Sequence, residues 1–284
     1  MGVLYVVATP IGNLEDITLR ALRILREVQL IAAEDTRTTA KLLAHYDIHT
    51  PMVSFFEHNE LVRQDEILQT LEAQDVALVS EAGMPTISDP GYRLVRAAIS
   101  HGISVVPVPG ASAILAAVAV SGLATDSFLF LGFLPRRATA RRRLLASVGE
   151  ELRTIICFEA PHRLLRALED MLQTFGDREI AVACELTKMY ENVWRGLLSE
   201  AVAHFQKEAP RGEYTLILAG APEAPQEPWE EQRVRRALSQ LIADGLSRRD
   251  AALQVCEMSN WPKRDVYRLA VEQATKTGTR REDA

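Results

Sequence analysis

The chain has 284 residues, 48% of them hydrophobic and 25% charged, with a formal net charge of −6. That composition suits a soluble globular protein of two or three domains and argues against nucleic-acid affinity through bulk charge. No 18-residue uncharged apolar stretch is present, and the start, Gly2 to Val7, lacks a basic lead and runs into Thr9-Pro10. A first strand is therefore expected there, not a signal peptide or membrane anchor, and a cytoplasmic location with it.

In chain order, the pattern predicts a strand over Leu4 to Ala8, a loop Thr9-Pro10-Ile11-Gly12-Asn13-Leu14, and a helix from near Asp16 with Ile17, Ala21, Leu22, Ile24 and Leu25 on its apolar side. A second strand over Gln29 to Ala33 leads to Glu34-Asp35-Thr36-Arg37 and a helix; a third over Met52 to Phe55 leads to His58-Asn59-Glu60 and another. The fourth, Val76 to Val79, enters Ser80-Glu81-Ala82-Gly83-Met84-Pro85-Thr86-Ile87-Ser88-Asp89-Pro90-Gly91, the stretch that organises the rest. Gly83 permits close backbone approach, and two prolines in six residues make a shaped, ligand-facing turn. A fifth strand, Ile103 to Val106, is followed by Pro109-Gly110-Ala111-Ser112 and an Ala/Val-rich helix ending at Ser121-Gly122. Five such alternations predict a doubly wound, largely parallel α/β domain over 1–122, with ligands beyond the carboxyl ends of its strands.

A second α/β domain is expected over 123–222, with strands at Ser127 to Leu131, Thr154 to Phe158, Ile180 to Cys184, Glu191 to Arg195 and Gly212 to Ala219. After its first strand come Arg136, Arg137, Arg141, Arg142 and Arg143 with no acid among them, either a solvated helix face or a phosphate-binding patch. Pro161 suits the first turn of a helix. Glu223 to Pro228 reads as a linker, and 227–284 as a helical module with helices near Glu230 to Ala243, Arg248 to Met258 and Arg264 to Ala274. From Gln226 on, 11 Lys and Arg face 10 Asp and Glu, so this part escapes the acidity of the rest. Its last two helices resemble a helix-turn-helix pair, suited to docking RNA, to dimer contacts or to plain packing.

Other chemistries find little support. Gly12 stands alone where a dinucleotide fingerprint has three glycines, the six histidines lack ligand spacing, and Cys157, Cys184 and Cys256 are far apart. No metal site and no disulfide is expected.

Seven collinear segments carry a resemblance: Thr9 to Leu14, Ala33 to Arg37, His58-Asn59-Glu60, Ser80 to Gly91, Pro109-Gly110, Phe158-Glu159-Ala160-Pro161-His162-Arg163 and Glu185-Leu186-Thr187-Lys188. Together they resemble the bacterial 16S rRNA 2′-O-ribose cytidine methyltransferases of the tetrapyrrole methylase superfamily. The resemblance implies two αβα domains, usually in a homodimer, with S-adenosylmethionine in the cleft between them, acting on a decoding-centre cytidine of the small ribosomal subunit. Cofactor contacts are implied for Pro10, Gly12, Glu81, Ala82, Gly83, Met84, Pro109, Gly110, Ser112, Phe158, Glu159 and Leu186. Glu81 stands where the family usually has Asp.

A ribose hydroxyl needs a base, or a cation that stabilises the alkoxide. His58, Glu60, Asp35, Glu185 and Lys188 are the ionisable residues in distinctive loops that suit this task. Each has a plainer alternative: Asp35 or Thr36 as a helix cap, His58 as a loop histidine, Glu185 and Lys188 as an ion pair across the domain interface. Two rivals to the rRNA reading are a tetrapyrrole-type small-molecule methyltransferase and a noncatalytic RNA-binding assembly factor.

Overall fold

The computed structural model describes residues 1–56, 58–222 and 229–278, which form two compact units, Met1–Ala221 and Pro222–Ala284. In the first unit β1 (Val3–Val7), β2 (Leu30–Ala33), β3 (Met52–Ser54), β4 (Val76–Val79) and β5 (Ser104–Val108) make a sheet ordered β3-β2-β4-β1-β5. Every pair in it is parallel. Helices α1 (Leu19–Glu27) and α2 (Thr36–His45) supply Ala21, Ile24, Leu25 and Leu43 to the core on one face. Helices α3 (Glu60–Leu71) and α4 (Tyr92–Ser100) supply Ile67, Leu71, Leu94 and Ala98 to the other. Covered on both sides, β4 buries all four of its apolar residues, as a continuous apolar run requires. β1 and β4 are neighbours, yet the helices that follow them lie on opposite faces, which opens a crevice at their carboxyl ends.

Two local expectations change. The helix expected near Asp16 is a single 3₁₀ turn, Leu14–Asp16; α1 starts later because the Thr18 side chain caps it, accepting from the Ala21 amide at 3.1 Å. β5 runs on through Pro107 to Val108, since it is an edge strand and a proline there forfeits no ladder hydrogen bond on its open side.

The second sheet, β6 (Phe128–Phe133), β7 (Thr154–Glu159), β8 (Glu179–Cys184), β9 (Asn192–Leu197) and β10 (Tyr214–Leu218), is ordered β6-β7-β10-β8-β9. Only β6 and β7 pair in parallel; the last strand in sequence sits at the centre, antiparallel to both neighbours. One face is covered by α6 (Ala138–Ser147), α7 (Pro161–Phe175) and α8 (Leu198–Lys207). Helix α8 has no counterpart among the expected elements, although Leu198, Ala201 and Phe205 stand on one helical face and are all buried. The other face receives α5 (Ala113–Ser121): Ala117 and Val118 pack with Ile156, Ala181, Ala183 and Ile217, and the Arg195 guanidinium donates to the carbonyls of Val120 and Ser121. An Ala-rich helix that begins in the first sheet's loop thus seals the two sheets into one unit.

In the second unit α9 (Glu231–Ala243), α10 (Arg248–Ser259) and α11 (Lys263–Gly278) bury Val234, Leu238, Ala251, Ala252, Val255, Val266, Leu269 and Ala270 together. Ser247 caps α10 through the Asp250 amide, and Asn260 ends it in the left-handed conformation. The linker Glu223 to Pro228 and the tail after 278 lie outside the described residues.

Candidate active site

The crevice at the carboxyl ends of β1 and β4 opens into a cleft of about 1150 Å³ whose lining comes from both sheets. The loops after β1 and β4 are tied by an isolated bridge: the Thr9 amide donates to the Gly83 carbonyl at 2.9 Å, and the Gly83 amide to the Thr9 carbonyl at 3.0 Å. Gly83 reaches this geometry at φ +80°, which an L side chain rarely adopts. Its polar backbone groups are thereby occupied, so Gly83 shapes the wall and leaves the exposed Ala82 to face a ligand. Across the cleft, the Asn13 amide donates to Thr187 Oγ1 at 3.1 Å. A side chain at Gly12 would meet Lys188 Cγ at 2.4 Å, so this glycine permits the close approach of the two halves. The apolar wall carries Phe130, Phe133 and Phe158, with the first two ring centroids 5.1 and 5.3 Å from that of Phe158.

Four residues on these loops hold φ values that L side chains rarely adopt: Thr86 at 75°, Ser88 at 68°, Glu185 at 51° and Thr187 at 66°. Non-glycine residues so placed cost of order 1–3 kcal/mol each and cluster where a site must be held in one shape. Three carboxylates, Glu34, Glu81 and Asp89, share the polar side of the lining. Burial pushes Glu34 above its ordinary range, opposed by its hydrogen bond from the Glu81 amide and helped by the charges of Glu81 and Asp35. Asp89 rises to about 7, first through burial and then through the charge of Glu34; the Ser80 hydroxyl opposes and Glu81 adds to it.

All twelve residues expected at the cofactor line the cleft: Pro10, Gly12, Glu81, Ala82, Gly83, Met84, Pro109, Gly110, Ser112, Phe158, Glu159 and Leu186. Glu159 is buried and already engaged, accepting from its neighbour's amide and from Arg163 at 3.1 Å. Of the five expected acid–base candidates only Lys188 reaches the lining. His58 is exposed beside Phe56 and away from the cleft; the neighbouring Asn59 organises that loop through Phe56 and Ser54. Glu60 is buried and accepts from the Gly91 amide at 3.3 Å, anchoring the end of the Ser80–Gly91 loop. Asp35 caps α2 through the amides of Arg37 and Thr38, and the Arg37 side chain first, its amide second, hold the carboxyl down at about 2, a poor proton acceptor.

Glu185 pairs with Lys188 at 2.9 Å inside one loop, and Glu213 joins from the entry to β10, so the pair lies within the second half and not across the interface. Burial raises the Glu185 carboxyl, but Lys188 and the Glu213 amide outweigh it and the net shift is downward. The arginine run divides as well. Arg136, Arg137, Arg142 and Arg143 are exposed, whereas Arg141 is buried, with Nε and Nη2 at 2.7 and 2.6 Å from Asp170 Oδ2. The missing acid of that run is supplied by α7, and Arg141 has no access to a phosphate. Glu34, Asp89, Tyr214 and Thr215 line the cleft as well, outside the expected set; for Asp89 a signal was present, a carboxylate inside the shaped Ser80–Gly91 loop.

No helix among the described residues is long and apolar enough to cross a membrane. The model of the tetrapyrrole (corrin/porphyrin) methylases matches residues 3–202. The chain is 50% identical over 275 residues to the ribosomal RNA small subunit methyltransferase I of Synechocystis sp., covering 96% of this chain and 98% of that protein. The protein of the same name from Bacillus subtilis is 43% identical over 272 residues, 94% of this chain and 93% of the relative. That from Thermotoga maritima is 55% identical over 221 residues, which are 78% of this chain and 99% of the relative. Among solved structures, uroporphyrin III C-methyl transferase from Thermus thermophilus matches with a TM-score of 0.55 and 21% identity, over 77% of this chain and 97% of that one. Cobalt precorrin-4 methyltransferase matches at 0.58 and 16%, over 76% and 94%, and both share the fold. The two sheets, the cleft between them and these identities agree: the chain belongs to the tetrapyrrole methylase family and, within it, to the ribosomal RNA small subunit methyltransferase I proteins.

Proposed function

We propose that the chain transfers the methyl group of S-adenosylmethionine to the 2′ oxygen of a cytidine ribose in the decoding centre of small-subunit rRNA. The observation that carries this reading is the 50% identity over 96% of the chain to a relative named as a small-subunit rRNA methyltransferase. The cleft suits such a donor. At about 1150 Å³ it exceeds the roughly 300–1,000 Å³ of most small-ligand pockets, room for a nucleoside donor and part of a second substrate. Small residues and backbone at Pro10, Gly12, Ala82, Met84, Pro109, Gly110 and Ser112 would hold the nucleoside, Phe158 and Leu186 would cover it, and Glu34 and Glu81 favour a positively charged sulfonium.

Bound there, the donor supplies an electrophilic methyl carbon. The protein's part is orientation and exclusion of water: a wall held in one shape by the Thr9–Gly83 bridge and the Glu60–Gly91 anchor, and a charged floor in which Lys188 stays protonated. Burial pulls the Lys188 ammonium down, but Glu185 and Glu213 outweigh it and set it above its ordinary range. The exposed Arg136, Arg137, Arg142 and Arg143 meet rRNA phosphates, and the helical module at 227–284 adds to that docking. The domains divide at 1–122, 123–222 and 227–284, and the protein acts as a cytoplasmic homodimer. Incubating undermethylated small subunits with the chain and labelled donor, then mapping the label by mass, tests the reading; label on a base, on protein or nowhere refutes it.

A further inference from the structure

The geometry points to Asp89 as the group that accepts the proton of the attacking ribose hydroxyl, an assignment that rests on the methyl transfer proposed above. Three observations converge on this side chain. It is half-buried in the lining of the cleft, in a loop that combines two left-handed non-glycine residues, Thr86 and Ser88, with a buried anchor at its far end, Glu60 on the Gly91 amide. Such a loop is held in place and not merely tolerated. Most of the other carboxylates are engaged: Asp35 on a helix cap, Glu60 on Gly91, Glu159 on Arg163, Glu185 and Glu213 on Lys188, and Glu34 on the Glu81 amide, while Glu81 shares the lining but is exposed to solvent.

The surroundings of Asp89 also tune it for the task. Facing it are Glu34 from the loop after β2, and Ser80 and Glu81 from the loop after β4; Lys41 and Lys188 are the cations of the cleft lining among the described residues. Burial and Glu34 lift its carboxyl from the usual range to about 7, where a proton acceptor is both largely ionised above neutrality and basic enough to be useful. In the step, the hydroxyl's proton passes to the carboxylate, and the freed oxygen pair forms the bond to the methyl carbon of the donor, a substrate consumed in the reaction. The pair of the broken sulfur–carbon bond stays on sulfur. Charge balances, because the donor's positive charge is lost as the carboxylate gains its proton, which later leaves to solvent.

Asp89→Asn is close to isosteric and should fold, and Asp89→Glu retains a carboxylate. The test measures methylation of undermethylated small subunits against pH at saturating donor, S-adenosylmethionine affinity by calorimetry, and carboxyl titration by NMR of ¹³C-labelled aspartate. Expected for Asp89→Asn are donor affinity within about threefold of wild type, a kcat lower by on the order of 10²- to 10⁴-fold, loss of the wild type's rate rise through neutrality, and loss of one carboxyl titrating near pH 7. Asp89→Glu should restore part of the rate and the rise. Ribose label from wild type with an unchanged rate and pH profile in Asp89→Asn overturns this assignment alone, as does a loss of donor affinity that matches the loss of rate. No ribose label from wild type overturns the parent reading and this assignment with it.

Discussion

Replacing Arg141 by Met separates the buried arginine of the 136–143 run from its exposed neighbours. Arg141 is 4% exposed and Asp170, whose carboxylate oxygen lies 2.6 and 2.7 Å from two of its guanidinium nitrogens, is 8% exposed. Removing one partner of a buried ion pair costs about 3–5 kcal/mol, because the other charge stays behind without compensation. Arg142 lies 3.2 Å from the second oxygen of Asp170 and remains, itself largely solvated, so the cost belongs at the lower end, about 3 kcal/mol. At roughly 2–4 °C per kcal/mol for a chain of this size, the unfolding temperature falls by about 6–12 °C. Arg143→Met, on the exposed face, should stay within about 0.5 kcal/mol of wild type. Calorimetric melts of both variants measure this, and a salt series of binding to small subunits completes the comparison. Replacing Arg136, Arg137, Arg142 and Arg143 together by Gln should flatten the logarithmic salt slope by roughly 0.7–0.9 for each phosphate that is no longer neutralised. An Arg141→Met protein that melts with wild type yet weakens RNA binding as the surface variants do would refute the reasoning.

Other outcomes follow from the same geometry. The raised carboxyl of Asp89 means that the folded protein holds a proton the unfolded chain has already released between about pH 4 and 7. Stability contributed by that proton is complete below the unfolded value and declines as pH rises through the window, so Asp89→Asn should melt above wild type at pH 8, with the gap closing toward pH 4. Glu60→Ala leaves the Gly91 amide without its acceptor in a buried position, a loss of about 1–3 kcal/mol; faster amide exchange at Gly91 reports it, while His58→Ala should leave activity unchanged. Gly83→Val forces a β-branched side chain to φ +80° with its Cβ 3.4 Å from Ile11 and should abolish donor binding in a protein that still folds, with undiminished calorimetric affinity as the contrary result. Ending the chain after Ala221 should preserve donor affinity but weaken subunit binding, since Met1–Ala221 is a compact unit that holds the whole cleft lining; equal subunit affinity in the shortened chain would remove the docking role of the second unit.

Sequence and tertiary structure divided the work along physical lines. Period-2 and period-3.6 patterns and capping residues are local, so the chain alone determined the five strand–helix alternations of the first half, the three C-terminal helices and the glycine- and proline-rich loops that line the cleft. Backbone-shaping residues announce themselves in this way because φ preferences act within two or three residues. The central place of β10 depended on distant pairings on both its sides, Ile217 with Ile156 on one and with Ala181 on the other, which no local pattern encodes. Side-chain roles were decided by partners about thirty residues away in sequence. Arg141 reads as a surface cation until Asp170, on another helix, closes over it, and Glu60 reads as a loop acid until the Gly91 amide arrives from the far end of the next connection. Asp89 shows the same limit from the other side: its loop was marked as special by sequence, but the burial and the two neighbouring carboxylates that tune it exist only once the loops after β2 and β4 have been brought together.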